Sequence, residues 1–400
     1  MESASFKRKR AEDNDSDEEL ATSSSPLSET SKWKERDLRQ NRKRSFRFSP
    51  SSSCDSEIEF HIPQNVSRWT LFHAERLHIY YSKYYTKTPK DLFSLLDKTI
   101  HPFNDQQKQY IERIKSLLQF DCKKRGPFLR ESVYRAAYDS LNEALGGIKK
   151  ELCSVYKSGN SLDALVSHRV FVFVRELLGL LNVFKDTKRL LKDVPKTCYV
   201  PVCASFIQMC NLTVQSCKVS SQWEHLGDQK IVSSIPDLRF FQNGKNFDEF
   251  IFTTTQIVVE VTKDVRQKRE EPSVGCLDGE GEDSNKPEIM KDLSESVLGQ
   301  HAGELLLEIR HNYVEKQENG IGKYMVPGMI VEGTKVYFTL LEMTTDHIDE
   351  LATNKDYKKM ANATIHYVKP LDLIFKEERD ILVDSFVMLN NIEFSSERFV

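Results

Sequence analysis

The chain has 400 residues, 39% of them hydrophobic and 29% charged, with 57 Lys and Arg against 60 Asp and Glu. That apolar content excludes a wholly disordered chain, and a formal net charge of −3 excludes a histone-like polybasic protein held to nucleic acid mostly by counterion release. Eight Cys in this length exclude a disulfide scaffold.

Residues 1–60 combine Ser-rich tracts (Ser23 to Ser25, Ser51 to Ser53), charge blocks and few aliphatic residues. Such a segment cannot bury enough apolar surface to offset its ordering entropy, so the composition predicts a disordered tail. Lys7-Arg8-Lys9-Arg10 and Arg42-Lys43-Arg44 are short basic clusters. They suit recognition by a nuclear import receptor or attraction of phosphates; the alternative is a pair of solvated charge runs. Ser16, Ser25 and Ser49 are candidate phosphosites. The polar start has no secretory-signal pattern. A nuclear or cytoplasmic location is expected, not a secreted one.

Residues 66–195 read as a helical region. Tyr110, Ile111, Ile114, Leu117 and Leu118 follow the spacing of one helix face, with Asn104 as N-cap. Val133, Ala137, Leu141 and Leu145 predict a second helix, stopped at Gly146-Gly147. A third runs from about Leu162 to Leu191, with Pro195 beyond its end. The aromatics Trp69, Phe72, Tyr80, Tyr81, Tyr84 and Tyr85 suit core packing, with a stacking platform for bases as the alternative.

Thr197 to Cys217 is an uncharged run as long as a membrane span. Pro201, Gln208, Asn211 and Gln215 interrupt it, so it reads as buried soluble core, and no membrane partner is expected. Cys198, Cys203, Cys210 and Cys217 are separated by four, six and six intervening residues, with no His among them. Paired zinc ligands sit closer, so these read as buried thiols.

From about 226 the pattern changes. Ile231 to Phe241 and Ile251 to Val261 have the β-branched and aromatic content of strands. Ile257-Val258-Val259 suits a central strand covered on both faces. Residues 264–295 are polar and acidic and predict a mobile insertion. A helix follows from about Ser296 to Lys316, then a hairpin of Val326 to Val331 and Val336 to Leu341 around Glu332-Gly333. A last helix spans about Pro370 to Asn390. This order predicts a mixed α/β (α+β) layer fold, with residues 196–400 as one domain after the helical region.

Three short stretches carry the chemistry: Pro236-Asp237-Leu238, Val259-Glu260-Val261-Thr262-Lys263, and Gln300-His301-Ala302-Gly303-Glu304. An acid opens one strand, a second acid ends a neighbouring apolar strand, and Gln300 and Glu304 share one helix face. Two carboxylates on adjacent strands suit a hard cation such as Mg²⁺ or Mn²⁺. Such an ion polarises a phosphoryl oxygen and lowers the pKa of a bound water. A nearby Lys orients the water or offsets developing charge.

This ordering resembles the PD-(D/E)XK nuclease superfamily, with its restriction-endonuclease-like fold, over about residues 200–345. The resemblance implies metal-dependent phosphodiester hydrolysis on DNA or RNA. It implies Asp237 and Glu260 as metal ligands and catalytic acids, Gln300 as the helix residue that supports them, and Lys263 as the motif cation. Glu304, His301 and Glu176 are further candidates it suggests. The chain departs from the family at one point: the motif is acid, any residue, Lys, and here Lys263 stands one place late. In a regular strand it points away from Glu260, and Thr262 takes the expected Lys position. A β-bulge after Glu260 would turn Lys263 back. Without one, the alternative is a catalytically inactive nuclease-fold module that binds nucleic acid or protein.

Other readings of these residues stay open. Asp237 after Pro236 suits a turn, and His301 suits an exposed or capping position. Glu260 has the weaker alternative, because a carboxylate after three apolar residues is costly without a partner. Gly320-Ile321-Gly322-Lys323 lacks the full spacing of a phosphate loop. Residues 101–200 carry 18 Lys and Arg against 11 Asp and Glu, while 270–295 carry nine acids and two Lys. The near-neutral total therefore hides a basic region suited to a nucleic-acid partner.

Overall fold

A computed structural model describes residues 61–96, 100–121, 131–159, 161–187, 194–216, 220–226, 229–242, 257–262, 286–309, 314–316, 322–353 and 361–392. The predicted N-terminal tail, most of the acidic insertion, Lys263 and Cys217 lie outside them. Phe60–Val400 forms one compact unit.

The helices come in chain order as α1 (Leu71–Arg76), α2 (Pro89–Ser94), α3 (Asp105–Leu117), α4 (Glu131–Ser158), α5 (Ser161–Thr187), α6 (Val200–Met209), α7 (Glu295–Glu308), α8 (Thr345–Thr353) and α9 (Lys376–Leu389). The strands are β1 (Ile79–Tyr81), β2 (Leu212–Ser216), β3 (Ser221–Leu226), β4 (Gln229–Ser234), β5 (Leu238–Gln242), β6 (Ile257–Thr262), β7 (Val314–Lys316), β8 (Gly322–Glu332), β9 (Lys335–Thr344), β10 (Ala363–Tyr367) and β11 (Leu371–Asp372). The architecture is mixed α/β, as the pattern predicts.

Local chemistry explains most boundaries. Asn104 caps α3 in a reciprocal box: its Oδ1 accepts from Gln107 N at 2.8 Å, and Gln107 Oε1 accepts from Asn104 N at 3.0 Å. Ile111 and Ile114 then turn inward. The expected stop at Gly146-Gly147 does not occur, and α4 continues to Ser158. Both glycines face open space. Their cost of about 1 kcal/mol each is offset where Leu141, Ile148 and Val155 bury on the inner side. The expected single strand Ile231 to Phe241 is broken into β4 and β5 by Ile235-Pro236-Asp237, where Pro236 has no N–H to give a ladder. The expected helix from Ser296 ends at Glu308, and residues 314–316 are strand.

The main sheet runs β1-β10-β9-β8-β6-β5-β2, with β11 added to β9 and β7 to β8. β1, inside the region read as helical, pairs parallel with β10 at the edge. β6 pairs antiparallel with β5 and parallel with β8. The chain passes from β6 through α7 to β8, the helical crossover that a parallel pair requires. β8 and β9 close through a tight turn in which Gly333 takes φ 63°, a conformation glycine adopts without strain.

Both faces of the sheet are covered. On one, α3, α5, α6 and α9 pack around Phe173, Phe206, Phe240, Phe338 and Phe386, with the Phe206 and Phe338 rings 5.6 and 5.1 Å from Phe386. Each such ring contributes roughly 1.5–3 kcal/mol by leaving water. On the other face, α7 packs with α1, Val66, Trp69 and the separate β3–β4 hairpin. Two glycines permit that contact. A Cβ on Gly299 would lie 2.0 Å from the Thr70 carbonyl carbon, and one on Gly303 would lie 2.7 Å from the Trp69 ring.

The aromatic cluster divides: Trp69 and Tyr81 are buried, as core packing predicts, while Phe72, Tyr80 and Tyr84 are exposed. The run from Thr197 becomes α6 and β2, with Cys203 and Cys210 buried as free thiols. Among the described residues no helix is long and apolar enough to cross a membrane.

Candidate active site

Alternation along β6 sets the site's orientation. Ile257, Val259 and Val261 face the core with the Phe cluster, so Glu260 projects to the opposite face, towards α7. Asp237 sits in the connector just before β5. Its Oδ2 accepts the Val261 N–H at 2.7 Å, which fixes its carboxylate beside Glu260 on the next strand. This is more than a turn residue does: the side chain reaches across to another strand.

Gln300 and Glu304 lie one turn apart on α7. Gln300 Nε2 donates to Glu260 Oε2 at 2.8 Å and to Glu304 Oε1 at 3.0 Å. Three of the residues singled out by pattern, Asp237, Glu260 and Gln300, therefore meet at one place, and Glu304 joins them.

The cation of this cluster is Lys196. It lies in the 3₁₀ turn Lys196–Cys198, ahead of α6. Its Nζ is 2.8 Å from Asp237 Oδ2 and 2.8 Å from Glu260 Oε1. The resemblance gives this role to Lys263, which lies outside the described residues. No periodicity marks Lys196. The usable signal is energetic: two acids placed in an apolar interior require a cation.

Burial governs the electrostatics. The Glu260 side chain is 5% exposed. Burial, reinforced by the Asp237 charge, pushes its carboxyl up to about 7, against the opposing pull of Lys196. Glu304 is raised well above the usual carboxylate range, by burial and then by Glu260, while the Gln300 hydrogen bond opposes the shift. Its Oε2 is buried without a hydrogen-bond partner. For Lys196, burial works against the charge, but Glu260 and Asp237 together hold the ammonium above its ordinary value.

Among the described residues no group of three or more His, Cys, Asp and Glu side chains is disposed to hold a metal ion. A smaller donor set suits Mg²⁺, which keeps several waters and binds through one or two carboxylates. Asp237 and Glu260 offer that set, since one oxygen of each converges on a single cationic atom.

The remaining candidates fall elsewhere. His301 is fully buried, not exposed or capping, and pairs with Thr339 Oγ1 at 2.7 Å. The close approach of β8 to α7 at Gly328 encloses it. Glu176 on α5 pairs with its neighbour Arg175 at 2.7 Å. Sequence reasoning also misses a buried ion pair under the site. Arg239, two residues after Asp237, donates through Nε to Glu308 Oε1 at 3.1 Å. Glu308 is one turn beyond Glu304, and Ser221 of β3 joins the pair. The buried pair fastens α7 to β5.

Comparison with protein-family models finds no match to this chain, and comparison with curated proteins finds none either.

Proposed function

We propose that the chain is a metal-dependent nuclease of the PD-(D/E)XK type, hydrolysing phosphodiester bonds in nucleic acid with Mg²⁺ or Mn²⁺. The observation that carries this reading is the convergence of Asp237 and Glu260 on one point, with Gln300 bridging Glu260 to α7. Asp237 and Glu260 would hold the metal. When bound, it polarises a phosphoryl oxygen and supplies an activated water.

The chain's own residues do the rest. The Val261 N–H orients Asp237, and Gln300 orients Glu260. Glu304, whose carboxyl burial raises well above its ordinary range, accepts from Gln300 and so holds that side chain towards Glu260. Lys196 takes the part that the resemblance gives to the motif Lys, offsetting charge that develops on the phosphate. The basic stretch 101–200 suits the polyanionic substrate, and the clusters at Lys7–Arg10 and Arg42–Arg44 suit a nuclear protein read by an import receptor.

One observation favours the rival reading, a nuclease-like module that binds without cleaving: the Lys196 ammonium already pairs with both acids. Incubating the full chain with single- and double-stranded DNA and RNA, with Mn²⁺ or EDTA, separates the two. Cleavage that needs Mn²⁺, Asp237 and Glu260 supports the nuclease. Salt-sensitive binding without cleavage supports the module.

A further inference from the structure

We infer, resting on the nuclease reading above, that the Lys196 ammonium and a divalent cation compete for one place between Asp237 and Glu260. Lys196 Nζ is 2.8 Å from an oxygen of each acid. A Mg²⁺ ion bound by the same two oxygens would stand about 2.0–2.1 Å from each. The two cations cannot occupy that gap together, because the ions would be nearly in contact and like charges so close repel strongly.

Other groups commit the two acids where they are. Asp237 Oδ2 also accepts the Val261 N–H, and Glu260 Oε2 accepts from Gln300. The Glu260 side chain is 5% exposed and that of Lys196 is 34% exposed. When a metal enters, the flexible, partly exposed Lys196 swings out and the acids stay. The ammonium thus holds the acids in place before the metal binds, and sets how tightly the chain holds metal without substrate. Once displaced towards the opening, it is free to meet a phosphate.

The test is a calorimetric titration of Mn²⁺ into the full chain without nucleic acid, for wild type, Lys196→Met, Lys196→Arg and Lys196→Met/Glu260→Gln, each checked for folding by circular dichroism. Lys196→Met is expected to bind Mn²⁺ at least about tenfold more tightly than wild type. Lys196→Arg keeps the charge and is expected to bind as wild type does, and the double variant is expected to lose the gain. A second signature is thermal: Lys196→Met melts below wild type without metal and recovers with Mn²⁺. Should Lys196→Met fail to fold, Lys196→Gln carries the same expectations. Equal or weaker Mn²⁺ binding after loss of the ammonium, or no binding by any variant, overturns the competition. Cleavage that still depends on Asp237 and Glu260 would then keep the nuclease reading alone.

Discussion

Lys196 and Glu260 stand 64 residues apart in the chain and meet at 2.8 Å. Glu260 is buried in the sheet, and Lys196 comes from a short turn outside it, so the site is closed by tertiary structure. Glu260→Gln leaves Lys196 one carboxylate partner, Asp237, and removes the charge that burial penalises. Removing the cation instead leaves two acids facing each other. Lys196→Met is therefore expected to destabilise the fold by about 3–5 kcal/mol, and Glu260→Gln by less. Urea denaturation of both variants reads the order; the reverse order contradicts it.

The acids and Gln300 are legible in sequence because each follows a local rule. Glu260 ends an apolar strand run, Asp237 follows a proline that breaks a strand, and Gln300 shares a helix face with Glu304. Lys196 follows none, because a 3₁₀ turn of three residues has no period. His301 is misread for a different reason. Residues 298–308 of α7 are buried nearly all round except Gln300, so position along the helix does not separate an outer face. The small residues Gly299, Ala302 and Gly303 are the available hint that a second element lies against that side. The layer order and the β8–β9 hairpin follow from periodicity and turn chemistry; the edge position of β1 depends on pairing with residues near 365.

The glycines of α7 and α4 should respond in opposite directions. Gly299→Ala would put a methyl group into the Thr70 backbone, which cannot move as a side chain can. A loss of about 3 kcal/mol or more is expected. Gly146→Ala meets open space and should stabilise by about 0.5–1 kcal/mol. Thermal melts of the two variants decide this, and a neutral Gly299→Ala would contradict the close packing.

The Arg239–Glu308 pair gives a third expectation. Arg239→Met strands the Glu308 charge in the interior and should cost about 3–5 kcal/mol. Arg239→Met combined with Glu308→Leu removes both charges and should recover a good part of that loss. A double variant as unstable as the sum of the single ones would show that the two residues do not act as a pair.

Histidine burial sets part of the pH dependence. His301 is pushed down to about 3 by burial, so the folded protein keeps it neutral where an unfolded chain, near 6.5, takes up a proton. Its contribution is present above 6.5 and is lost as pH falls from there towards 3, by up to about 1.4 kcal/mol per pH unit. Glu260 acts in the other direction. Its raised carboxyl favours the folded state below about 4.5 and that advantage disappears as pH rises towards 7. The difference between wild type and His301→Gln, measured by denaturation at pH 7, 5.5 and 4.5, isolates the first effect. A difference that stays constant with pH would remove it.

We propose Asp237 and Glu260 as a metal-dependent hydrolytic site. It is tested most directly by cleavage of nucleic acid by wild type, Asp237→Asn and Glu260→Gln, all confirmed as folded, in Mn²⁺ and in EDTA. Wild type is expected to cleave in Mn²⁺ alone, with each variant at least about a hundredfold slower. Cleavage that survives either substitution or EDTA, or a folded wild type that cleaves none of the substrates, would contradict it.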